Sequence, residues 1–425
     1  MDLNILVNIY FSIKMKKTVI LKITSNTDKM VNLGCIVTGL YNVANWERRQ
    51  AWESTGKIPN YYQQYFSLRD HLLAKLLHSH VAQQVFKVLE ENYRSWFSLR
   101  KKGHREARPP MFRKKGKPST FTITNYGFTI LSDSEIQLST KNAFGENITI
   151  RVESRPDVRI SEIVKPQILQ IVFKKGKITA NLVHDIETSI KPANGNVLAI
   201  DLGIKNFAVT FDTTKSTRIY KGGNILATAY YFDKKISVMQ AKLPKGKHGS
   251  DSISRMHRKK NAQIKQMLHC YANDIRDYCV HNNISRVAIG DLKGIREDVN
   301  GDAKNWGNKG NLKLHSWRYA WFTSTLKYKL EEVGIELATV SEKYTSRTCP
   351  RCGDRKRKNR FVRGSYKCLK CGYANHSDVI GAMNILQRYL DGELSPTSNP
   401  VVNNGYVVGW HLQSACTEAP VFRRG

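Results

Sequence analysis

Two cysteine pairs in the last third of the chain have the residue type and the spacing of a metal site. Cys349 and Cys352 form one Cys-x2-Cys pair, Cys368 and Cys371 form the other, and fifteen residues, 353–367, separate the pairs. Two such turns can deliver four thiolates to one zinc ion as a tetrahedron, with each sulfur about 2.3 Å from the metal. The spacing therefore predicts one structural Zn²⁺ that folds a basic zinc ribbon. The alternative is four reduced structural cysteines.

Two aspartates occupy positions where a bare carboxylate is costly. Asp201 lies in the apolar stretch "NVLAIDLGIKN", and Asp378 precedes the helical pattern "VIGAMNIL". Because an unpaired buried carboxylate needs a cation or hydrogen-bond donors, a divalent metal at a strand edge would account for Asp201. The ordinary alternatives are a turn aspartate for the first residue and a helix cap for the second.

The order of these motifs along the chain decides between the alternatives. A strand "AIDLGIKN", a later strand "VAIGDL", the segment "YTSRTCPRCG", the second cysteine pair and "HSDVIGAMNIL" follow one another. This order resembles the RuvC-like nuclease core of the TnpB (OrfB) family of transposon-encoded RNA-guided nucleases, which is related to type V CRISPR effectors and to the Fanzor proteins. The resemblance is most specific from Asn196 to Leu386. Over the N-terminal half, "VAQQVFKVLEENYRSWF" and "RPPMFRKKGK" more loosely resemble the family's recognition and wedge regions.

The resemblance implies a DNA endonuclease that depends on a guide RNA and on magnesium. Asp201 and Asp378 would ligate two Mg²⁺ ions, and two-metal hydrolysis needs carboxylates that bridge ions about 4 Å apart. The implied partners are a guide RNA derived from the element and double-stranded target DNA with a short adjacent motif. The protein is expected to be a monomer in this ribonucleoprotein.

The third carboxylate of the family's site is missing from its usual position. The family places a glutamate just before an Asp-Leu pair on the second motif strand, where this chain has Gly290. Asp291 is a poor substitute because successive strand residues point to opposite faces. Glu342, which ends the next strand ahead of "YTSRTCPRCG", is the favoured replacement, and some TnpB and Fanzor branches resemble this arrangement. Glu297 and Asp298, on a predicted loop, are weaker alternatives, and the ordinary interpretation of Glu342 is a surface residue at a strand end. Without a third carboxylate from any of these positions the site would be dead.

The charge balance predicts a polyanionic partner. The 425 residues include 68 Lys and Arg against 35 Asp and Glu, which gives a formal net charge of +33. Such an excess favours nucleic-acid phosphates. The run from Arg100 to Pro118 alone carries nine basic residues against one Glu, and either phosphate binding or a solvated linker would explain it. The apolar opening "MDLNILVNIYFSIK" lacks the features of an export signal, and no run of membrane-spanning length follows, so no membrane partner is expected.

The elements that must position these residues follow from hydrophobic periodicity. "KKTVILKIT" predicts a strand, residues from about Gly39 to Lys102 have helical spacing, and residues 120–190 alternate like short strands. From Asn196 onward strands alternate with long helices, which indicates an α/β layer. The predicted fold class is α/β plus β: an RNase H-like RuvC nuclease domain with an inserted zinc ribbon, preceded by a β-barrel (wedge) module that carries a helical recognition insertion.

The predicted domain boundaries are first wedge strands at 1–30, a helical recognition insertion at 31–105, the wedge module at 106–192, the nuclease core at 193–344, the zinc ribbon at 345–375, the third-motif helix at 376–392 and a weakly ordered tail at 393–425. The predicted function is that of an RNA-guided DNA endonuclease of a transposable element. Asp201, Glu342 and Asp378 are predicted to hold two Mg²⁺ ions and to carry catalysis, and the paired cysteines are predicted to hold one Zn²⁺.

Two other functions stay open at this stage. Gly290 in place of the glutamate suggests a nuclease-dead, RNA-guided DNA-binding regulator. The ribbon and the charge alone suggest a guide-free zinc-ribbon DNA-binding accessory of transposition. The expected location is the cytoplasm, in association with the nucleoid, for a prokaryotic host and the nucleus for a eukaryotic or viral one.

Overall fold

The computed structural model describes residues 12–174, 176–292, 317–361 and 364–391, together with positions 307 and 310. Glu297 and Asp298, two alternatives for the third carboxylate, lie outside these residues. The chain divides into an N-terminal unit formed by Lys14–Glu187 and a C-terminal unit that begins at Thr188. None of the described helices is both long enough and apolar enough to cross a membrane.

The described part of the N-terminal unit contains one sheet in the strand order β2-β6-β7-β1-β5-β4-β3. The strands are β1 (Ser12–Ile23), β2 (Phe121–Thr124), β3 (Phe128–Ser132), β4 (Glu135–Leu138), β5 (Ile148–Glu153), β6 (Pro166–Lys174) and β7 (Lys177–Ser189). Strands β2 and β3 lie at opposite ends of this order, yet only residues 125–127 join them. The sheet therefore curls round on itself into a near-barrel.

Helices occupy the long connection between β1 and β2. They are α1 (Thr27–Thr55), α2 (Tyr61–Leu68), α3 (Leu72–Lys75) and α4 (Ser79–Lys101), and the short α5 (Lys141–Phe144) follows β4. On α4, Val85, Leu89 and Tyr93 are buried in a core shared with α1 and the sheet, as their helical spacing predicts.

Helix α1 begins earlier than the sequence analysis places the helical region. It starts at Thr27, ahead of both the predicted boundary at residue 31 and the pattern that begins near Gly39. Asn26 precedes the helix in a left-handed conformation, and its side chain makes no capping hydrogen bond. Asn26 is a residue type that often precedes a helix, but its side chain donates to the Thr149 carbonyl at 2.8 Å instead of capping α1.

The basic run near residue 110 lies along α1. We call residues 107–118 the basic strap. Its contacts with α1 run from Thr38 Oγ1 to the Lys117 carbonyl (2.7 Å), from Asn42 Nδ2 to the Arg113 carbonyl (2.9 Å), and from Asn45 Nδ2 to the Pro110 carbonyl (3.0 Å). The three donors are four and three residues apart, so they share one face of the helix. The strap is therefore not a free linker, and it presents Lys114 and Lys115 to solvent along a fixed path.

The described part of the C-terminal unit contains a mixed five-stranded sheet in the order β10-β9-β8-β11-β12. The strands are β8 (Val197–Leu202), β9 (Asn206–Asp212), β10 (Thr217–Lys221), β11 (Arg286–Asp291) and β12 (Glu336–Ser341). Strands β8, β9 and β10 pair antiparallel, whereas β8, β11 and β12 are parallel. A separate hairpin consists of β13 (Ser365–Lys367) and β14 (Ala374–His376).

Helices cover both faces of this sheet. They are α6 (Gly223–Ala241), α7 (Asp251–His281), α8 (Tyr319–Glu331) and α9 (Ser377–Asp391). Leu198, Ile200 and Leu202 of β8 share one core with α7 and α8. The alternate residues Val197 and Ala199 share a second core with α9. Each face of β8 therefore has its own helical layer, as expected for an α/β sheet.

Helix α6 and strand β10 have no counterpart in the sequence analysis. The buried residues of α6 are Ile225, Ala229, Phe232 and Ile236, which lie three and four residues apart, so the helical period is present in the sequence. Strand β10 is only five residues long and mostly half-exposed, and it pairs along the outer edge of β9. Its position depends on that pairing, which periodicity alone does not reveal.

Candidate active site

Three carboxylates from distant parts of the chain meet on the α9 face of the C-terminal sheet. Asp201 has the same strand parity as Val197 and Ala199, which contact α9. Glu342 follows β12 directly and has the parity of Val340, which belongs to the same core. Asp201, Glu342 and Asp378 all line one cavity of about 440 Å³.

Asp201 lies where the sheet and α9 come closest. A Cβ built on Gly381 of α9 would lie 2.7 Å from Asp201 Oδ2, so a larger residue at 381 would displace either the Asp201 carboxylate or the helix. Burial raises the pKa of Asp201 well above its ordinary value, and the negative charges of Glu342 and Asp378 raise it further. The Arg360 guanidinium opposes these effects. The carboxylate is therefore placed where a cation would stabilise its charged form.

Glu342 occupies the space that a side chain at position 290 would need. A Cβ built on Gly290 would overlap the Glu342 carboxylate and would lie 2.5 Å from both Cγ and Cδ of that side chain. Among the described residues, no hydrogen-bond partner reaches the buried Oε1 of Glu342. Burial, with a smaller contribution from the charge of Asp291, raises the pKa of Glu342 to about 7. A buried carboxylate oxygen without a partner fits a ligand position for a cation.

Asp378 lies in the first turn of α9, and polar neighbours hold its side chain. Asn206 Nδ2 donates to Asp378 Oδ2 at 2.9 Å, and Ser377 Oγ donates to Oδ1 at 3.2 Å. The backbone N–H of Asp378 donates to His376 Nδ1 at 3.2 Å. The carboxylate does not cap its own helix in these contacts, so it is directed into the cavity that it shares with Asp201.

The four paired cysteines come together as one cluster. Their sulfur atoms all lie within 4.8 Å of one another, and the Cys349–Cys371 and Cys352–Cys368 pairs are 3.6 and 3.5 Å apart. Four thiolates about 2.3 Å from one zinc ion are about 3.8 Å apart, so the cluster could bind a metal such as zinc. Among the described residues, these four cysteines form the group of three or more His, Cys, Asp or Glu side chains whose ligand atoms all lie within 4.8 Å of one another. The carboxylates around Asp201 are more widely spaced.

The two cysteine turns have the same backbone geometry. The N–H of Gly353 donates to the Cys349 carbonyl, and the N–H of Gly372 donates to the Cys368 carbonyl, both at 2.9 Å. These glycines have φ angles of 72° and 74°, which other residues rarely adopt. The glycine after each pair therefore allows the turn that aims both sulfurs at one point.

Comparisons with known proteins identify relatives of this chain. The OrfB_IS605 family model, described as a probable transposase, matches residues 180–296. The model of the Cas12f1-like TNB domain matches residues 319–385, which include the cysteine cluster and most of α9. The RNA-guided DNA endonuclease InsQ of Escherichia coli K12 is 24% identical over 356 residues, which cover 80% of this chain and 82% of InsQ. The chain is therefore related to the TnpB (OrfB) proteins.

Two further comparisons concern Cas12f1 proteins. A CRISPR-associated endodeoxyribonuclease Cas12f1 from an uncultured archaeon is 25% identical over 234 residues, which cover 50% of this TnpB-like chain but only 42% of that relative. A solved Cas12f1–sgRNA–target DNA complex contains a protein that aligns with a TM-score of 0.58 at 14% identity, over 88% of this chain and 98% of that one. The fold of the TnpB-like chain is therefore Cas12-like.

Some residues of the site in this TnpB-like chain are absent from the sequence analysis. Arg360 and His376 line the same cavity as the carboxylates, and Asn206 bonds directly to Asp378. Asn206 lies within the quoted motif "AIDLGIKN", so its position next to Asp201 was a usable indication. Arg360 belongs to the loop between the cysteine pairs, and nothing in its spacing distinguishes it from the other basic residues there.

Proposed function

We propose that the chain is an RNA-guided DNA endonuclease of a transposable element, which cleaves target DNA by Mg²⁺-dependent hydrolysis in a RuvC-like site. The observation that carries this proposal is the convergence of Asp201, Glu342 and Asp378 on one cavity, with Glu342 in the space left by Gly290. The mixed sheet with parallel β8, β11 and β12 supports an RNase H-like core. The kinship with InsQ, which is named as an RNA-guided DNA endonuclease, supports the reaction.

The three carboxylates suit magnesium as a resident ion. Mg²⁺ prefers oxygen ligands, and the unpartnered Oε1 of Glu342 and the mutual charge repulsion at Asp201 both call for a cation. When bound, such ions would stabilise the charge that develops on the phosphate and lower the pKa of the attacking water. Asp201, Glu342 and Asp378 would hold them.

Other residues of the chain would orient the site and the substrate. Asn206 fixes the Asp378 carboxylate through its hydrogen bond, and Gly381 lets α9 approach Asp201. Arg360 and Lys205 line the cavity beside the carboxylates and would attract a phosphate of the DNA backbone. The carboxylates alone would repel the phosphates of DNA. The basic side chains beside them would attract those phosphates to the cavity.

The cysteine cluster would hold one structural zinc ion in a zinc ribbon. All four positions are taken by thiolates, and closed four-thiolate sites are structural rather than catalytic. Cys349 and Cys368 are buried in the same core as residues of α9, so the ribbon would support the helix that carries Asp378. The basic loop between the pairs would lie near nucleic acid.

The partners would be a guide RNA derived from the element and double-stranded target DNA with a short adjacent motif, bound by a monomeric protein. The net charge of +33 supports polyanionic partners, and the Cas12f1 protein with the same fold was solved with sgRNA and target DNA. In such systems base pairing supplies sequence specificity, while the protein recognises the short motif and the shape of the duplex. The location would be the nucleoid region of a prokaryote, or the nucleus for a eukaryotic or viral host.

The test is to express the chain with its native flanking DNA, purify it at high salt and sequence the RNA that accompanies it. A single defined RNA with a variable end is expected, and target DNA matched to that end should then be cut in Mg²⁺. Asp201→Ala and Glu342→Gln should each abolish cutting. Glu336→Gln is the matched control, because Glu336 lies at the opposite end of β12, where it pairs with Arg286 at 3.2 Å.

The outcomes separate the alternatives. Guided binding with no cleavage in any divalent ion would favour the nuclease-dead regulator that Gly290 suggests. No bound RNA, with salt-dependent DNA binding of no sequence preference, would favour the guide-free zinc-ribbon accessory. Cleavage by Glu342→Gln at the wild-type rate would remove Glu342 from the site.

A further inference from the structure

Glu342 lies one residue beyond the last residue of β12 that pairs with β11. The β11–β12 ladder ends with the pairing of Asp291 and Ser341, so no strand pairing fixes the backbone at position 342. The Glu342 side chain must nevertheless stay buried beside Asp201, whose negative charge repels it. Some other contact has to hold this backbone in place.

Two side chains of α9 bind the backbone on both sides of Glu342. The Arg388 guanidinium donates to the carbonyls of Ser341 and Lys343, the latter at 3.0 Å. One helical turn earlier, Asn384 Nδ2 donates to the carbonyls of Thr345 and Thr348 at 2.6 and 2.7 Å. The side chains that bracket the turn are thus four residues apart on one helix, and each carries more than one N–H donor.

A short chain of hydrogen bonds completes the link to Glu342. Thr345 donates to the Glu342 carbonyl from its backbone N–H at 3.1 Å and from its hydroxyl at 2.9 Å. Asn384 is buried, so its donors have no water to bond and its two carbonyl contacts are costly to lose. The same helix carries Asp378, so one rigid element fixes two of the three carboxylates.

We propose that Asn384 and Arg388 are positioning residues that hold the Glu342 carboxylate in the metal site from α9. This inference rests on the proposed function. It explains how a carboxylate placed after the end of a strand can replace one within a strand, because α9 supplies the hydrogen bonds that the ladder no longer provides. Neither side chain touches the reacting atoms, so each acts through the backbone at residues 341–348.

The test uses Arg388→Met, which keeps an unbranched apolar stem and removes the guanidinium donors, and Asn384→Leu, which keeps the branching and the number of heavy atoms of the side chain and removes its amide. The full-length protein, freed of nucleic acid at high salt, is titrated with Mn²⁺, and Asp201→Ala defines binding outside the site. Each variant should weaken Mn²⁺ binding at the site and slow guided cleavage by about 10–100-fold, the usual effect of losing an outer support of a metal ligand. Target binding in Ca²⁺ and a zinc content of about one per chain should be unchanged.

Two controls give the result its specificity. Gln387→Met changes the neighbouring side chain, whose amide donates to Asp391 within α9 and, among the described residues, to no part of 341–348, and it should behave as wild type. Arg388→Lys keeps one donor and should recover part of the affinity. In a Glu342→Gln background, Arg388→Met should cause no further loss of Mn²⁺ affinity, because the residue that it positions no longer binds metal.

The outcomes distinguish this proposal from the proposed function. Wild-type Mn²⁺ affinity in folded Arg388→Met would overturn it, and so would a loss of equal size in the Glu342→Gln background. If Asn384→Leu fails to fold, Arg388→Met decides, because Arg388 is only half-buried. If the wild type binds Mn²⁺ but cuts nothing, and the variants weaken that binding, the positioning role stands while the nuclease function falls. If the wild type binds no Mn²⁺ at this site, both fall.

Discussion

At the scale of single residues, the Glu342 carboxylate occupies the space that the missing side chain of Gly290 leaves open. Position 290 belongs to the strand parity that faces α9, where a side chain would enter the cavity beside Asp201. The Glu342 carboxylate fills that volume from the neighbouring strand. A side chain at 290 and the present position of Glu342 exclude each other, so a glutamate at position 290 and Glu342 could not both occupy this space.

This exclusion predicts the behaviour of Gly290→Ala. The new Cβ would displace the flexible Glu342 side chain rather than backbone, so the fold should remain, and alanine is favoured over glycine in a strand by about 0.5–1 kcal/mol. Cleavage should fall by about 100-fold, because misplacing a catalytic group by about 1 Å can cost that much. Single-turnover cleavage and chemical denaturation of the same preparation measure the two effects.

Two further variants sharpen this test. Gly223→Ala is the matched control, since a Cβ at Gly223 meets nothing within 4 Å, and it should leave cleavage unchanged. The double variant Gly290→Glu with Glu342→Gly returns the carboxylate to β11 and should cut faster than Glu342→Gly alone. Wild-type cleavage by Gly290→Ala would mean that the Glu342 side chain is not needed where the structure has it.

The sequence singled out residues whose charge requires a partner in a buried position. It did not single out residues that matter because of their contacts with other elements. Asp201 was singled out because its strand is too apolar for an unpaired carboxylate, and its role as a metal ligand stays a proposal. Glu342 followed from the need for a third anionic ligand, and its assignment to catalysis stays a proposal. Gly381 and Asn384 lie within the quoted motif "HSDVIGAMNIL", but the motif does not show which atoms of other elements come within contact distance of them.

At the scale of elements, prediction succeeded where a segment determines its own structure. The strand that contains Asp201 and the long helix α7 follow from a hydrophobic run and from helical spacing. Strand β10 was missed because its structure depends on pairing with β9. The start of α1 was placed too late because the helical spacing was recognised only from about Gly39, whereas the helix begins at Thr27.

The cysteine cluster supports an element-scale prediction about zinc. Cys368→Ser should lower bound zinc from about one ion per chain to none, and it should slow cleavage by about 10–100-fold, because Cys368 shares a core with the helix that carries Asp378. Elemental analysis and single-turnover cleavage measure these effects. Cys35→Ser alters a half-buried cysteine of α1 outside the cluster and should change neither quantity. Full zinc content in Cys368→Ser would contradict the four-thiolate assignment.

At the scale of the whole molecule, the C-terminal sheet brings together carboxylates that are far apart in the sequence. Asp201 and Glu342 are 141 positions apart, but β8, β11 and β12 are adjacent parallel strands, so both carboxylates emerge at the same edge and on the same face. Helix α9 then brings Asp378 to that face. The motifs follow one another in the sequence in the same order as the strands and the helix that carry the carboxylates. The order of the motifs, which resembles the TnpB family, was therefore more informative than any single motif.

The charge of the molecule leads to a prediction about salt. Because binding to nucleic acid releases counterions, log K should fall linearly with log of the salt concentration, by about 0.9 for each phosphate contacted on duplex DNA. Lys114 and Lys115 project from the basic strap, whose path α1 fixes, so Lys114→Ala with Lys115→Ala should reduce that slope by about 1 to 2. Lys22→Ala with Lys29→Ala removes the same charge from lysines already paired at 2.8 Å with Glu153 and Glu146. If both double variants changed the slope equally, net charge alone would explain binding, whereas a change confined to the strap would identify it as a phosphate-binding element.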